Sequence, residues 1–417
     1  MSQLPTKRRL VRAIAAAAAM AAFAQPVLGQ LTGQLIVHDP SRIYEEDGRY
    51  FLYHTGNFVG SKYSDDLVHW QNGPTAFAAV PAWADAEVSG NDNNMWAPDL
   101  FKFGNEYRLY YSLSSFGSQD SVIGMATNST LDFNNPNFGW VDQGLVIKSE
   151  QFAPYNTIDP AVFLDDATNR MWLTFGSYWN GIYITELDPA TGKRISPTSP
   201  TLNIARNPGS PVNAIEAPYL TEHDGEYYLF VNWDACCQGS ESTYNIRVGR
   251  SSSPTGPFRD RTGLAMTNGG GELFLGSEGA QIGPGHFSEF EADGVEYFSY
   301  HYYDGRQAGV PKLNIEELAW TVDGWPIPAS DLGPGDFNGD GAVNGADLVL
   351  WNDFFGSQLA GAELLDWQRN YSLPSSAAAS GAGVPEPPAW SLAMFVTSLG
   401  ALRLSQCGPG GRPAAVA

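Results

Sequence analysis

Cysteine is scarce in this chain of 417 residues: there are three, two of them adjacent at Cys236 and Cys237. So few exclude a disulfide scaffold, and the fold must rest on buried apolar side chains. The adjacent pair is either two free small residues or a vicinal bridge. Basic residues are scarce too, with 23 Lys and Arg against 45 Asp and Glu and a net charge of −22. So acidic a surface excludes nucleic acid and an anionic membrane as partners. A neutral polymer or a bound cation suits it better. Long hydrophobic runs are missing as well. The run Ala13–Phe23 is too short to span a bilayer. Behind Lys7, Arg8, Arg9 and Arg12 it reads as a secretory signal over residues 1–30.

Helical periodicity is also absent from most of the chain. What stands in its place is a repeat. His38–Tyr53, HDPSRIYEEDGRYFLY, joins a His-Asp-Pro-Ser entry to an apolar run, an Asp-Gly turn and an aromatic run. Such a turn between apolar runs is a strong hairpin signal. The plan recurs after Pro98, Pro160, Pro218 and Pro284, at intervals of 58 to 66 residues. The second runs read RYFLYHT, EYRLYYSLS, RMWLTFGS, EYYLFVNW and EYFSYHYYD. Five similar all-β units at regular spacing point to radial repetition, which leaves only short sheet edges exposed. The expected fold is all-β, a five-bladed β-propeller over residues 31–328. Two β-sandwiches would not explain the spacing.

Beyond Pro326 the composition changes. Asp336–Asp347, DFNGDGAVNGAD, places oxygen-bearing side chains at loop positions 1, 3, 5, 9 and 12: Asp336, Asn338, Asp340, Asn344 and Asp347. Gly341 stands at position 6, so the spacing is that of a calcium loop, with Asp replacing the usual Glu at position 12. Helices are expected over Ala346–Phe355 and Ala362–Tyr371, the second without an acidic loop before it. This helical calcium-binding segment covers residues 332–372. A linker and tail follow at 373–417, holding Val384-Pro385-Glu386-Pro387, an apolar stretch to Leu404 and Arg403.

The innermost strands of a propeller converge on its axis, and three repeats open theirs with an acid. Asp39 and Asp159 directly precede their prolines, and Glu216 lies one residue earlier than that slot. Beside Val37, Ile158 and Ile215 a carboxylate costs desolvation energy unless it is paired or used. A base, an acid and a third carboxylate that raises the acid's pKa are the kit for glycoside hydrolysis. The bland alternative, three turn-forming acids, suits the two Asp better than Glu216. In the fifth repeat His286 takes the acid's place, as a metal ligand or a structural residue. His301 and Asp304 are second candidates, and His38 is expected to support the Asp39 turn. Trp96 shares the register slot of Glu216, and Phe116 follows the second repeat's aromatic strand. Either can stack on the C–H face of a sugar or fill the core.

These residues together resemble a known family. HDPS with Asp39, MWAPD at Met95–Asp99, NTIDP with Asp159, AIEAPYL with Glu216, NWDACC at Asn232–Cys237 and GPGH with His286 are similar to glycoside hydrolase family 43. Its endo-1,5-α-L-arabinanases are the nearest likeness. The resemblance implies a five-bladed propeller that inverts the anomeric centre, with Asp39 as general base, Glu216 as general acid and Asp159 as modulator of the acid's pKa. It implies a calcium-type ion on the axis held by His286 in a water-rich shell, and sugar stacking by Trp96 and Phe116. Inversion implies base and acid carboxyls ~6.5–9.5 Å apart. Residues 332–372 resemble a dockerin-type repeat whose second half lacks ligands, which counts against cohesin docking. The tail resembles a PEP-CTERM sorting signal, with more residues after Arg403 than such signals carry. The expectation is a monomeric, secreted or cell-surface enzyme acting on arabinan, a pectin side chain. Exo-acting arabinofuranosidases or β-xylosidases and a non-catalytic sugar-binding propeller are the alternatives.

Overall fold

Asp-Gly turns build the hairpins. Asp47 and Gly48, Asp224 and Gly225, and Asp293 and Gly294 all take positive φ. That matches the mirror-image turns whose twist suits antiparallel strands. The first of them joins Tyr44–Glu46 to Arg49–His54, whose outer neighbours are Gly60–Ser64 and His69–Asn72. The computed structural model describes residues 28–88 and 90–371. Most of the expected signal and the sorting tail lie outside the described residues. Contacts divide the chain into two units, Met1–Asn370 and Tyr371–Ala417, and the second contributes only Tyr371 to the description.

Five sheets follow one another along the chain, a five-bladed β-propeller. The hairpin sheet above is blade one, with Thr32–Gly33 added parallel at its edge. Blade two runs from Asn94–Phe103 to Val141–Ser149, and blade three from Ala161–Asp165 through Ile182–Asp188 to Thr201–Ala205. Blade four runs from Ile215–His223 to Glu272–Leu275, and blade five from Gln281–Ala292 to Pro326–Pro328.

The apolar core lies between the blades. Phe51 and Tyr53 of blade one pack with Leu100 and Leu109 of blade two. Tyr110 and Met125 meet Val162 and Phe175, and Trp172 and Ile184 meet Leu220 and Leu229. Phe230 and Val248 meet Phe287 and Phe298. Phe290 and Leu313 of blade five then meet Leu52 and Trp70 of blade one, which closes the ring. Each such side chain removed from water contributes about 1.5–3 kcal/mol. Backbone bonds also cross that last seam, from Leu313 N–H to the Leu35 carbonyl (2.9 Å) and from Val37 N–H to Pro311 (3.4 Å). They fix the strand leading into Asp39.

The C-terminal helices span Gly345–Phe354 and Gly361–Asn370. Asn344 and Asp347 cap the first reciprocally, each side chain accepting from the other's end of the turn. Among the described residues no helix is long and apolar enough to cross a membrane.

Candidate active site

One backbone device recurs at the hub. Asp39, Ala97, Asp159, Ala217 and His286, one per blade, all adopt left-handed conformation, with φ of 52°, 44°, 57°, 50° and 63°. That region costs non-glycine residues energy and persists only where the surroundings enforce it. Here a bulge and a latch enforce it. Trp96 pairs with Ser112, Glu216 with Asn232 and Gly285 with His301, and in each case the register then slips by one bulge. The fifth blade therefore aligns on Phe287, not on Pro284 as the proline spacing suggested.

Each left-handed N–H is caught by a side chain from the preceding blade. His301 Nδ1 accepts from Asp39 at 3.1 Å, Thr55 from Ala97 at 2.7 Å and Ser112 from Asp159 at 3.2 Å. Asn232 Oδ1 accepts from His286 at 2.9 Å. Blade three has Gly176 at this position and no side chain to offer. Asp159 itself accepts from Ala217 N–H instead, at 3.0 Å.

The three carboxylates that the repeats open with converge at this hub. Asp39 Oδ2 accepts from the Thr55 hydroxyl at 2.6 Å and lies 2.8 Å from His38 Nδ1. Its Oδ1 lies 3.5 Å from His286 Nδ1 and 3.6 Å from His301 Nδ1. Burial alone raises this carboxyl's pKa, but the charge and the hydrogen bond of His38 lead the opposing pull and hold Asp39 far below the usual range. Asp39 is a carboxylate. Asp159 is pushed well up by burial, then by repulsion from Glu216 and Asp39. Glu216 is also raised, by burial first and Asp39 after, against hydrogen bonds from Ser177 and Tyr244. The Ser177 hydroxyl donates to Glu216 Oε2 at 2.7 Å. Two buried acids that repel each other retain a proton between them, beside a third that does not.

The remaining candidates sort themselves by contact. His286 is buried and its pKa lowered, so its imidazole is neutral and keeps a lone pair. His301 is neutral for the same reason, and its Nε2 is buried without a partner. Its Nδ1 latches Asp39. Asp304 is spent on Lys312 and Arg306, at 2.9 and 3.0 Å. Trp96 is half-buried in the slot equivalent to Glu216, and Phe116 is 88 % exposed on the loop after blade two's second strand. Sequence reasoning missed Ser177, at the end of blade three's aromatic run, and Tyr244, Tyr178 and Trp179, which come from loops with no repeat signature. The SYWN run after an aromatic strand was the one signal available for Tyr178 and Trp179. Cys236 and Cys237 are bonded to each other.

In the C-terminal loop, Asp336 accepts from Gly339, Asp340 and Gly341, and Asp347 from Phe337, Asn338 and Asn344. Both carboxylates are buried, and burial followed by the charge of Asp347 raises the pKa of Asp336. Two repelling acids wrapped in backbone N–H groups, with Asn338, Asp340 and Asn344 alongside, fit a hard cation.

A carboxylate held low in pKa beside two acids pushed up, on the axis of a β-propeller, is the arrangement of a glycosidase. The model for glycosyl hydrolases family 43 matches residues 26–326, and the chain belongs to that family. It is 39 % identical over 295 residues to an extracellular endo-α-(1→5)-L-arabinanase of Bacillus subtilis, covering 70 % of this chain and 87 % of that one. To an extracellular exo-α-(1→5)-L-arabinofuranosidase of Cellvibrio japonicus it is 36 % identical over 302 residues, covering 70 % and 86 %. Among solved structures, an endo-arabinanase from Bacillus licheniformis superposes with a TM-score of 0.66 at 38 % identity, over 72 % of this chain and 99 % of that one.

Proposed function

We propose that this chain is a secreted, inverting hydrolase of internal α-1,5-L-arabinofuranosidic linkages in arabinan. The observation that carries the reading is the convergence of Asp39, Asp159 and Glu216 at the hub, where Asp39 is held low in pKa by His38 and the other two are pushed up by burial. Asp39 is the general base and takes a proton from a water that attacks the anomeric carbon. Glu216 is the general acid and gives its proton to the departing oxygen on the other face of the ring. Asp159 modulates Glu216 as the neighbouring acid of the pair and fixes its strand through Ala217 N–H. Trp96 and Phe116 carry sugar rings. The extracellular names of the relatives support secretion. Their names include both endo and exo action, so the endo assignment stands on product sizes. Glu216→Ala is expected to abolish turnover with the fold intact, and wild-type protein to release oligomers early from linear arabinan. Arabinose as the first product would make the enzyme exo-acting, and retained activity in Glu216→Ala would remove the acid.

Two calcium sites belong to this proposal. His286, neutral and beside Asp39, fits an axial ion whose other ligands are waters, and the unpartnered Nε2–H of His301 suits such a wet surrounding. A cation there adds positive charge beside the base. Asp336, Asn338, Asp340, Asn344 and Asp347 hold the second, which ties the loop to the helix it precedes. The sorting tail serves attachment at the cell surface, and the enzyme acts as a monomer.

A further inference from the structure

The second strand of every blade runs out towards the hub latches, so the loop that follows it lies at the mouth of the site. Blade two's loop carries Phe116 and blade three's Tyr178 and Trp179, whereas blade one's Phe58 packs against the core. Tyr178 and Trp179 sit there with positive φ. Blade four's loop, between Glu226–Trp233 and Asn245–Ser251, has no aromatic at its tip. It has the Cys236–Cys237 disulfide.

Position places that disulfide beside the chemistry. Cys237 is exposed, and its Sγ lies 3.9 Å from His38 Nε2. The other nitrogen of His38 lies 2.8 Å from Asp39. The loop is braced from below: Cys237 N–H donates to the Tyr303 hydroxyl at 2.8 Å, and Gln238 N–H to Ser242 at 3.0 Å. Ala235 and Thr243 bond across its base. A bridge between adjacent residues closes almost no chain, so it removes little entropy from the unfolded state. Stability does not account for it. What it offers is a fixed, apolar, polarisable surface at the lip, equivalent by blade to the aromatic one at Phe116.

We propose that the Cys236–Cys237 disulfide is a sugar-contacting surface, taking the C–H face of an arabinofuranosyl residue adjacent to the scissile bond. The inference rests on the arabinan reading above. It is tested by titrating arabinohexaose into Glu216→Ala protein, which binds without cleaving. The same titration is run after reduction with dithiothreitol, confirmed by a thiol count, and in Glu216→Ala combined with Cys236→Ala and Cys237→Ala. Reduction and double substitution are each expected to weaken binding about tenfold, equal to about 1.4 kcal/mol. In otherwise wild-type enzyme the same changes raise KM and leave kcat within a factor of two. Unchanged affinity after confirmed reduction overturns the inference alone. A loss confined to kcat also overturns it, because the disulfide would then act through Tyr303 and His38 on Asp39. No binding of arabinohexaose by the Glu216→Ala parent overturns the substrate reading and this inference with it.

Discussion

Ser177→Ala tests the proposed acid by moving its pKa and nothing else of consequence. The Ser177 hydroxyl is buried and donates to Glu216 Oε2 at 2.7 Å. A hydrogen bond to a carboxylate stabilises the charged form, by roughly 1.5–3 kcal/mol when the acceptor is ionised. Each pKa unit corresponds to about 1.4 kcal/mol, so losing the donor raises Glu216 by about one to two units. The sign is fixed by the chemistry. A general acid must hold its proton, so activity falls as pH rises through its pKa, and the basic limb moves to higher pH in the variant. The acidic limb, set by Asp39, stays where it is. The assay is kcat/KM on linear arabinan across pH, which reports the free enzyme. Removing one hydroxyl from a small buried side chain leaves the fold in place, which thermal unfolding checks. A basic limb that stays still, or moves to lower pH, refutes the assignment of that proton to Glu216.

Asp99 sits buried beneath the hub, its carboxyl pushed up to about 6 by burial against the opposing pull of Arg42 and Val162 N–H. Its folded value lies above the unfolded 3.8, so the stability it contributes is present at low pH and lost as pH rises through 6. Asp99→Asn should therefore gain on wild type between pH 4 and pH 8, by about 3 kcal/mol at most from a two-unit gap, read by denaturant unfolding at both pH values. Asn232→Ala strips partners from His286 N–H and from the carbonyls of Asn245 and Pro284. About 3 kcal/mol of stability should go with it, seen as a lower denaturant midpoint. Calcium added to chelator-stripped protein should raise the thermal midpoint, with a part of the rise missing in Asp336→Ala. An identical rise in both proteins would leave the C-terminal loop without a site.

The propeller was legible because its evidence is local. Each blade repeats a proline, a two-residue turn and an aromatic strand within about sixty residues, and hairpin chemistry is written in adjacent positions. Where one local cue changed, the reading slipped: Phe287 stands in the proline slot of blade five, so alignment on Pro284 missed the true register. The latches were invisible for a different reason. Thr55, Ser112, Asn232 and His301 do one job, yet they share no residue type and act on the following blade, 40 or more positions along the chain or across the closure. His301 drew notice as a histidine near the hub, but its Nδ1 is used to hold Asp39 in a left-handed turn. Asp304 drew notice as an acid, and two cations claim it. The adjacent cysteines left both redox states open, because adjacency alone forbids neither.

Asp159 shows why an acid can be found by sequence while half of its work is not. Its burial beside Glu216 follows from the repeat. Its second task follows from an absence, since Gly176 leaves Ala217 N–H without the side-chain acceptor that the other blades provide. Asp159 Oδ2 fills that gap from the preceding blade, 58 residues upstream of the group it serves. The same side chain thus fixes the backbone next to the proposed acid and makes up, with that acid, a buried pair that cannot both ionise. An Asn keeps the first role and loses the second, whereas an Ala loses both. The division of labour within one side chain is set by geometry, not by residue type.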